Sequence, residues 1–442
     1  MREADSQSTP ERLLALWDHL GVRRAHVAAQ MPGDIVDFAA GHPDRLGGVV
    51  LCAPSRLDPG PFAGLADRLM TIAGSAGPTH AATAPAATRL PGLRQHVLDG
   101  YAPQGWDDVV RDRTDAVAGA MTDFLGGRAA DVPGAASGEG AAKDGVCAGI
   151  TYRIGGSGPA LVLFPFFLAP SQWDPALALL ERHFTVIVLG GRHLGGVAAL
   201  EDRAQAPTYG AMFRTLVDLL DPPAGARILD VGCGAGSLDR MLAKRHHDVR
   251  IDAVDATRFL LREAAALAAA DGLTDRIAFT EGNAEALPFE DAAFDCAFSV
   301  TVLEECDADR AIAELVRVVK PGGRVGVIVR ATDMPQWWNL DVPAGMRARI
   351  DTPPQSVSPG GVAGAGLYAR MAAGGLTRLT CYPFLVTLDN PGGPIWRHRE
   401  DHVRGQLDAA ETAAWQAARD AAAADGLLFM AHPMHCAVGV VP

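Results

Sequence analysis

At 442 residues with 48% hydrophobic content, the chain holds material for two or three domains with cores of their own. A formal net charge of −13 argues against a nucleic-acid-binding surface and leaves a small molecule as the expected partner. The seven cysteines are dispersed without a C-x-x-C, no stretch reaches 18 uninterrupted apolar residues, and the polar N-terminus lacks the apolar core of a signal peptide. These features give the expectation of a cytoplasmic protein with reduced thiols, no membrane span and no metal.

Taken in order, residues 11–21 read as an amphipathic helix ending at Gly21. The stretch 25–54 then reads as strand, sharp turn, helix, His-Pro loop and strand. Its layout resembles the nucleophile-elbow region of α/β-hydrolases, whose motif is G-x-S-x-G. Here Gln30 stands at the nucleophile position, and Ala28 and Pro32 replace the flanking glycines. An amide cannot attack an acyl group. The resemblance puts Gly77 at about the acid position and Tyr101 at the histidine position, so all three triad positions are empty. A closing helix is expected from about Trp106 to Leu125.

Residues 128–147 are small and polar and read as a flexible linker. Beyond them, 148–206 resembles the opening strands of an α/β-hydrolase, with Pro165-Phe166 where the oxyanion loop usually begins His-Gly. A back half, 1–127, thus precedes a front half. The expectation is one permuted, catalytically dead hydrolase-like domain whose sheet is completed across the linker, because either half alone leaves a strand edge and an apolar face uncovered.

From Pro207 the pattern changes to a helix over 208–220, stopped by Pro222-Pro223. Next comes Arg227-Ile-Leu-Asp-Val-Gly-Cys-Gly-Ala-Gly-Ser-Leu, an apolar strand entering a glycine turn that opens a helix. Such a turn aims backbone N–H groups and a positive helix end at a ligand. The spacing is G-x-G-x-G rather than the dinucleotide G-x-G-x-x-G, and Asp230 before it suits an ammonium better than a diphosphate. Asp255, 23 residues after Gly232, ends the next strand where βαβ units place an acid on ribose hydroxyls.

This stretch resembles the first motif of class I S-adenosylmethionine (SAM) methyltransferases, and 281–295 resembles the G-D-A-x-x-L-P-F region of the type 11, quinone-biosynthesis-like members. The resemblance covers about 207–442 and implies an α/β fold with a Rossmann-like, seven-stranded, mostly parallel sheet. It implies SAM as cofactor, held by Asp230, Gly232, Cys233, Gly234, Gly236, Asp255, Ala256, Asn283, Ala284 and Val300. Asn283 stands where the family has Asp on the adenine amine, and Glu305 where a histidine often lines the acceptor pocket.

Candidate bases are Glu305, His402 and Tyr368, and candidate acceptor contacts are Thr301, Trp337 and Trp338, the tryptophans being equally able to pack a lid. His432-Pro-Met-His435 has metal-type residues, but in a strand they point to alternate faces. The expected activity is methyl transfer to an aromatic, quinone-like or other secondary-metabolite acceptor. Two alternatives stay open: a SAM-binding protein that uses the cofactor structurally or for a non-methylation rearrangement, and a bifunctional hydrolase and methyltransferase. The first region would be scaffold, lid or the surface of a homodimer.

Overall fold

The structure is a computed structural model that describes residues 7–103, 108–133, 144–167, 169–191, 193–355, 357–388 and 394–442. The chain divides into two compact units, Met1–Ala198 and Ala199–Pro442.

The first unit is built on one eight-stranded sheet. Its strands are β1 (Ala25–Ala29), β2 (Leu46–Cys52), β3 (Leu69–Gly74), β4 (Arg94–Leu98), β5 (Asp144–Cys147), β6 (Ile150–Gly156), β7 (Ala160–Leu163) and β8 (Thr185–Gly190). The order is β4-β3-β2-β1-β7-β8-β6-β5. β1 pairs in parallel with β2 on one side and with β7 on the other, so strands from before and after residues 134–143 lie side by side. Every residue of β1 and β7 is buried. Such fully apolar strands need neighbours on both edges and cover on both faces. The helices Thr9–His19 and Val36–Gly41 cover one face through Leu13, Leu16, Trp17 and Phe38. The helices Thr114–Leu125 and Asp174–Leu180 cover the other.

One expectation about this region needs correction. The span 128–147 is not a flexible linker throughout: Asp131 accepts hydrogen bonds from the N–H groups of Arg23 and Arg24, and 144–147 is edge strand β5. Only 134–143 lies outside the described residues, as does the expected helix start at Trp106.

The second unit has β9 (Arg227–Val231), β10 (Arg250–Asp255), β11 (Ile277–Glu281), β12 (Phe294–Val300), β13 (Val319–Arg330), the two-residue β14 (Trp337–Trp338), β15 (Thr377–Leu388) and β16 (Met430–Val440). The order is β11-β10-β9-β12-β13-β16, and β16 carries both β14 and β15. β9 to β13 are parallel, while β16 runs antiparallel to β13 and β15. The reversal of strand order between β9 and β12 opens a crevice at their carboxyl ends, where open α/β sheets take ligands. The sheet thus has the seven expected strands plus β14.

Local chemistry sets the elements around that crevice. The helix Pro207–Leu220 buries Met212, Phe213, Leu216 and Leu220 on one face and stops at Asp221, whose φ is 44°. Asp307 caps the helix Ala308–Val318 by accepting from the N–H groups of Asp309 and Arg310. The cysteines are all free, and among the described residues no helix is long and apolar enough to cross a membrane.

Candidate functional site

The glycine turn sits at the carboxyl end of β9. Gly232, Gly234 and Gly236 all have positive φ, at 83°, 56° and 69°. At Gly232 a Cβ would fall 2.1 Å from Cγ2 of Val302, so this position admits no other residue without movement. Gly236 then opens the helix Ser237–Arg245. The N–H groups of Gly232 and Cys233 are both spent on the Val254 carbonyl, 2.7 and 3.0 Å away, which locks the turn to β10.

Three carboxyls converge below the turn. Asp230 is 3% exposed and Asp239 fully buried, and they face one another. Burial, then the Asp239 carboxyl, raises the pKa of Asp230 well above the usual range, and burial raises Asp239 to about 7. One shared proton between such neighbours relieves the repulsion of two buried anions. Beyond that contact, no donor among the described residues reaches either carboxylate oxygen of Asp239. A buried acid pair that meets no other donor is what an entering ammonium group would neutralise.

Asp255, at the end of β10, accepts from the N–H of Gly234 at 2.9 Å with one oxygen and from that of Thr257 at 2.8 Å with the other. Each oxygen keeps acceptor capacity for a ribose hydroxyl. Burial raises the pKa of Asp255. Thr257 is the N-cap residue of the helix Arg258–Ala270, yet its side chain makes no capping bond. Asn283 is exposed, and its Oδ1 accepts from the N–H of Glu285 at 2.9 Å, leaving its NH₂ group and a second lone pair outward. Ala256, Ala284 and Val300 lie at the carboxyl ends of β10, beyond β11 and on β12 respectively, around the same crevice. These residues fit SAM: acids for its ammonium, an acid for its ribose and a turn with no Cβ in the way.

The residues expected to contact an acceptor include Thr301, where β12 ends. Thr301 has a φ of 59°, and its hydroxyl donates to the Val300 carbonyl and accepts from Nη1 of Arg203 at 3.2 Å. Of the expected bases, Glu305 has a side chain 60% exposed, with Arg330 at 3.4 Å. Its neighbour Glu304 is the buried one, at 1% exposure. Glu304 Oε1 accepts from the Arg330 N–H at 2.7 Å, its Oε2 has no partner, and burial raises its pKa. His402 is tied to the Thr352 carbonyl, 3.1 Å away. The Tyr368 hydroxyl lies 2.7 Å from Nδ1 of His435, whose Nε2 lies 2.9 Å from Asp333. Burial pushes the phenol up to about 12.

Trp338 corrects the expectation of an acceptor wall. It is fully buried and packs edge-on against Trp396 and Trp415 at 5.3 and 6.0 Å, so its ring is spent on the core. Trp337 is 45% exposed and contacts Phe429.

Several residues escape a reading of the sequence. Glu201 and Arg203 lie before Pro207, yet they belong to the second compact unit. Glu201 accepts from Ser237 and from the Arg240 guanidinium, and Leu200 reaches within 3.0 Å of a Cβ built on Gly234. Asp239, Glu304 and Arg399 become visible only through their burial. The one signal for Asp239 is a charged residue in the first turn of a helix whose N-terminal loop is all small residues.

Comparison with known proteins agrees with this geometry. Residues 228–323 match the methyltransferase domain family. An uncharacterized protein of Mycobacterium tuberculosis is 38% identical over 160 residues, 36% of this chain and 53% of that one. The methyltransferase GfsG of Streptomyces halstedii is 33% identical over 164 residues, covering 36% and 58%. The chain therefore spans about half the length of the curated relatives it matches. A geranyl diphosphate C-methyltransferase of Streptomyces coelicolor A3(2), solved with Mg2+, geranyl diphosphate and S-adenosyl-L-homocysteine, is 16% identical with a TM-score of 0.34. It covers 53% of this chain and 79% of that one, a likeness too distant to carry an argument. Residues 228–323 are a methyltransferase domain, and the methyl donor of that domain is S-adenosylmethionine.

Proposed function

We propose that this protein transfers a methyl group from SAM to a small secondary-metabolite acceptor. The observation that carries the reading is the buried acid pair Asp230 and Asp239 beneath a glycine turn that leaves no room for a Cβ at Gly232, with Asp255 one strand away. SAM supplies an electrophilic methyl carbon when bound. The chain's own part is orientation. Asp255 would accept from the ribose hydroxyls, Asn283 and Ala284 would meet the adenine, and Gly232 to Gly236 would let the amino-acid end approach the backbone. Thr301 and Val300 border the point where an acceptor must line up about 3 Å from the methyl in a site closed to water.

Where the acceptor carries a proton, we assign Glu304 ahead of Glu305 as the group that takes it. Its free Oε2 is buried and burial raises its pKa, which makes it a stronger base than a solvated carboxylate such as Glu305. Replacing Asp255 by Ala should weaken SAM by about 3 kcal/mol, on the order of a hundredfold, because two hydrogen bonds to a charged acceptor are lost. Calorimetry on the full chain measures this. Unchanged affinity would contradict the assignment.

For the first unit we infer a permuted hydrolase-like sheet without hydrolase chemistry. What supports the reading is Gln30, at the end of β1. Its Oε1 accepts from the Phe167 N–H at 2.7 Å, and its amide donates to the Ala53 carbonyl at 3.3 Å. The amide that stands at the nucleophile position is thus tied to the segment standing at the oxyanion loop. Tyr101, at the histidine position, donates to Asp112 at 2.7 Å and lies against Arg113. A panel of ester substrates should show no turnover above background.

A further inference from the structure

At the ends of β12 and β13 the second unit buries a guanidinium, that of Arg399, which meets no anion among the described residues. β12, β13 and β16 end side by side there. Thr301 N–H donates to the Ile328 carbonyl, Arg330 pairs with Met434, and Ala331 N–H donates to the Pro433 carbonyl. Alternation along the strands settles which face each side chain takes. Ile328 of β13 and Met434 of β16 belong to the same core cluster as Phe213 and Trp396. Arg330 and His432, two residues away on their strands, therefore share that face. The helix Pro394–Arg404 packs over it through Trp396 and Val403, and Arg399 lies three residues after one and four before the other. Arg399 accordingly points inward and is 9% exposed. Arg203 reaches the same place, hydrogen-bonded to Thr301 and lying 5.0 Å over the Tyr209 ring.

Their partners are unequal. Arg330 has Glu304 and Glu305 at 3.5 and 3.4 Å. Arg399 has no hydrogen-bond or ion-pair partner among the described residues, and its Nε is buried and unsatisfied. The Nε of Arg203 is likewise buried and unsatisfied. The Tyr209 hydroxyl, on the ring beneath Arg203, has no partner either. The surroundings of Arg399 are repulsive: burial and then Arg330 and Arg203 push its pKa down to about 10. His432, 6% exposed, is held well below its ordinary value by burial and then by Arg399, Arg203 and Arg330. An uncompensated buried guanidinium is strongly unfavourable, so a fold that keeps one beside two others has a use for it. Planar guanidinium forks match carboxylate and phosphate oxygens two at a time.

We propose that the acceptor of this site carries an anionic group, a carboxylate or a phosphate, that is held by Arg399, Arg203 and Arg330 with His432 beside them. The proposal rests on the methyltransferase reading and deepens it, since the cluster lies at the end of β12 and β13 where an acceptor would line up. The anion would anchor the acceptor and leave the reacting atom to face Thr301.

The test uses the full chain and two probes, inorganic phosphate and benzoate, titrated at constant ionic strength against sodium chloride. Thermal unfolding and calorimetry are read for the wild type, Arg399→Met and Arg399→Lys. One probe should raise the unfolding midpoint saturably in the wild type, and which probe does so separates a phosphate from a carboxylate acceptor. In Arg399→Met its affinity should fall at least tenfold, with partial recovery in Arg399→Lys.

Without probe, Arg399→Met should melt higher than the wild type, by at least about 2 °C, because an unpaired buried charge has been removed. A residue kept only for structure would instead lower the midpoint. No saturable effect of either probe, equal probe affinity in Arg399→Met, or a lowered midpoint without probe would each overturn the proposal. SAM affinity is measured in parallel: wild type and Arg399→Met should bind it equally. Loss of SAM binding by the wild type would sink the methyltransferase reading instead.

Discussion

Both units run a buried parallel strand into a sharp turn at the carboxyl edge of a sheet, and the two turns end differently. At the end of β1, Gln30 is buried and its amide is satisfied by backbone groups on either side. At the end of β9, Asp230 is buried against Asp239, and beyond that contact neither oxygen of Asp239 meets a donor among the described residues. The same architecture thus holds a closed polar network in one place and an open one in the other. A buried polar group whose bonds are complete is part of the structure. One left incomplete marks where the fold expects a ligand. The Arg399 cluster has the same signature with the opposite charge.

The largest effect that would break the comparison lies at Gly232. Gly232→Ala places a methyl 2.1 Å from Val302 in a left-handed backbone, which should cost about 2–5 kcal/mol and abolish SAM binding. Calorimetry on Gly232→Ala with Val302→Ala should recover the packing part and not the backbone strain. Full tolerance of Gly232→Ala would mean that the turn is not a tight cradle.

Next in size is the acid pair. Asp230 is raised well above its usual value and Asp239 to about 7, so the folded state holds protons that the unfolded chain releases near pH 4. Ligand-free stability should therefore fall as pH rises from about 4 to about 7, the reverse of a salt-bridged aspartate. Denaturant titrations across that window measure the fall. Asp239→Asn should flatten it, and SAM should offset it by supplying the missing cation. A stability that rises through the window would remove the basis for an open site.

The smallest effect sharpens the other half. Gln30→Ala strands the Phe167 N–H and should cost about 1–3 kcal/mol of stability with SAM affinity unchanged. Urea unfolding and calorimetry report the two separately. Esterase activity that depended on Gln30 would reopen the first unit as a second catalytic centre.

Much of the second unit was legible because its signals are local. Apolar strands, the G-x-G-x-G turn and an acid ending the next strand each follow from backbone geometry within a few residues. The helix 258–270 lies where its periodicity predicts it. The acceptor end was not legible. Trp338 belongs to the core because β14 pairs it with Met430, far along the chain. Glu304 and Glu305 are adjacent acids, and only the backbone of Arg330 decides which one is buried. The reading of 128–147 failed for a similar reason, since Asp131 and β5 are ordered by partners elsewhere in the sequence.

The sequence by itself determined the kind of sheet, the glycine turn after β9 and the amide of Gln30 after β1, because these depend on residue type and short spacing. Tertiary structure alone decided which charges are left without partners. Arg203, Arg330, Arg399 and His432 are spread over some 230 residues and meet because three strands end together beneath one helix. Burial then leaves the Arg399 guanidinium without an anion beside Arg203, Arg330 and a buried His432, since the cost of a charge depends on its surroundings and not on its place in the chain.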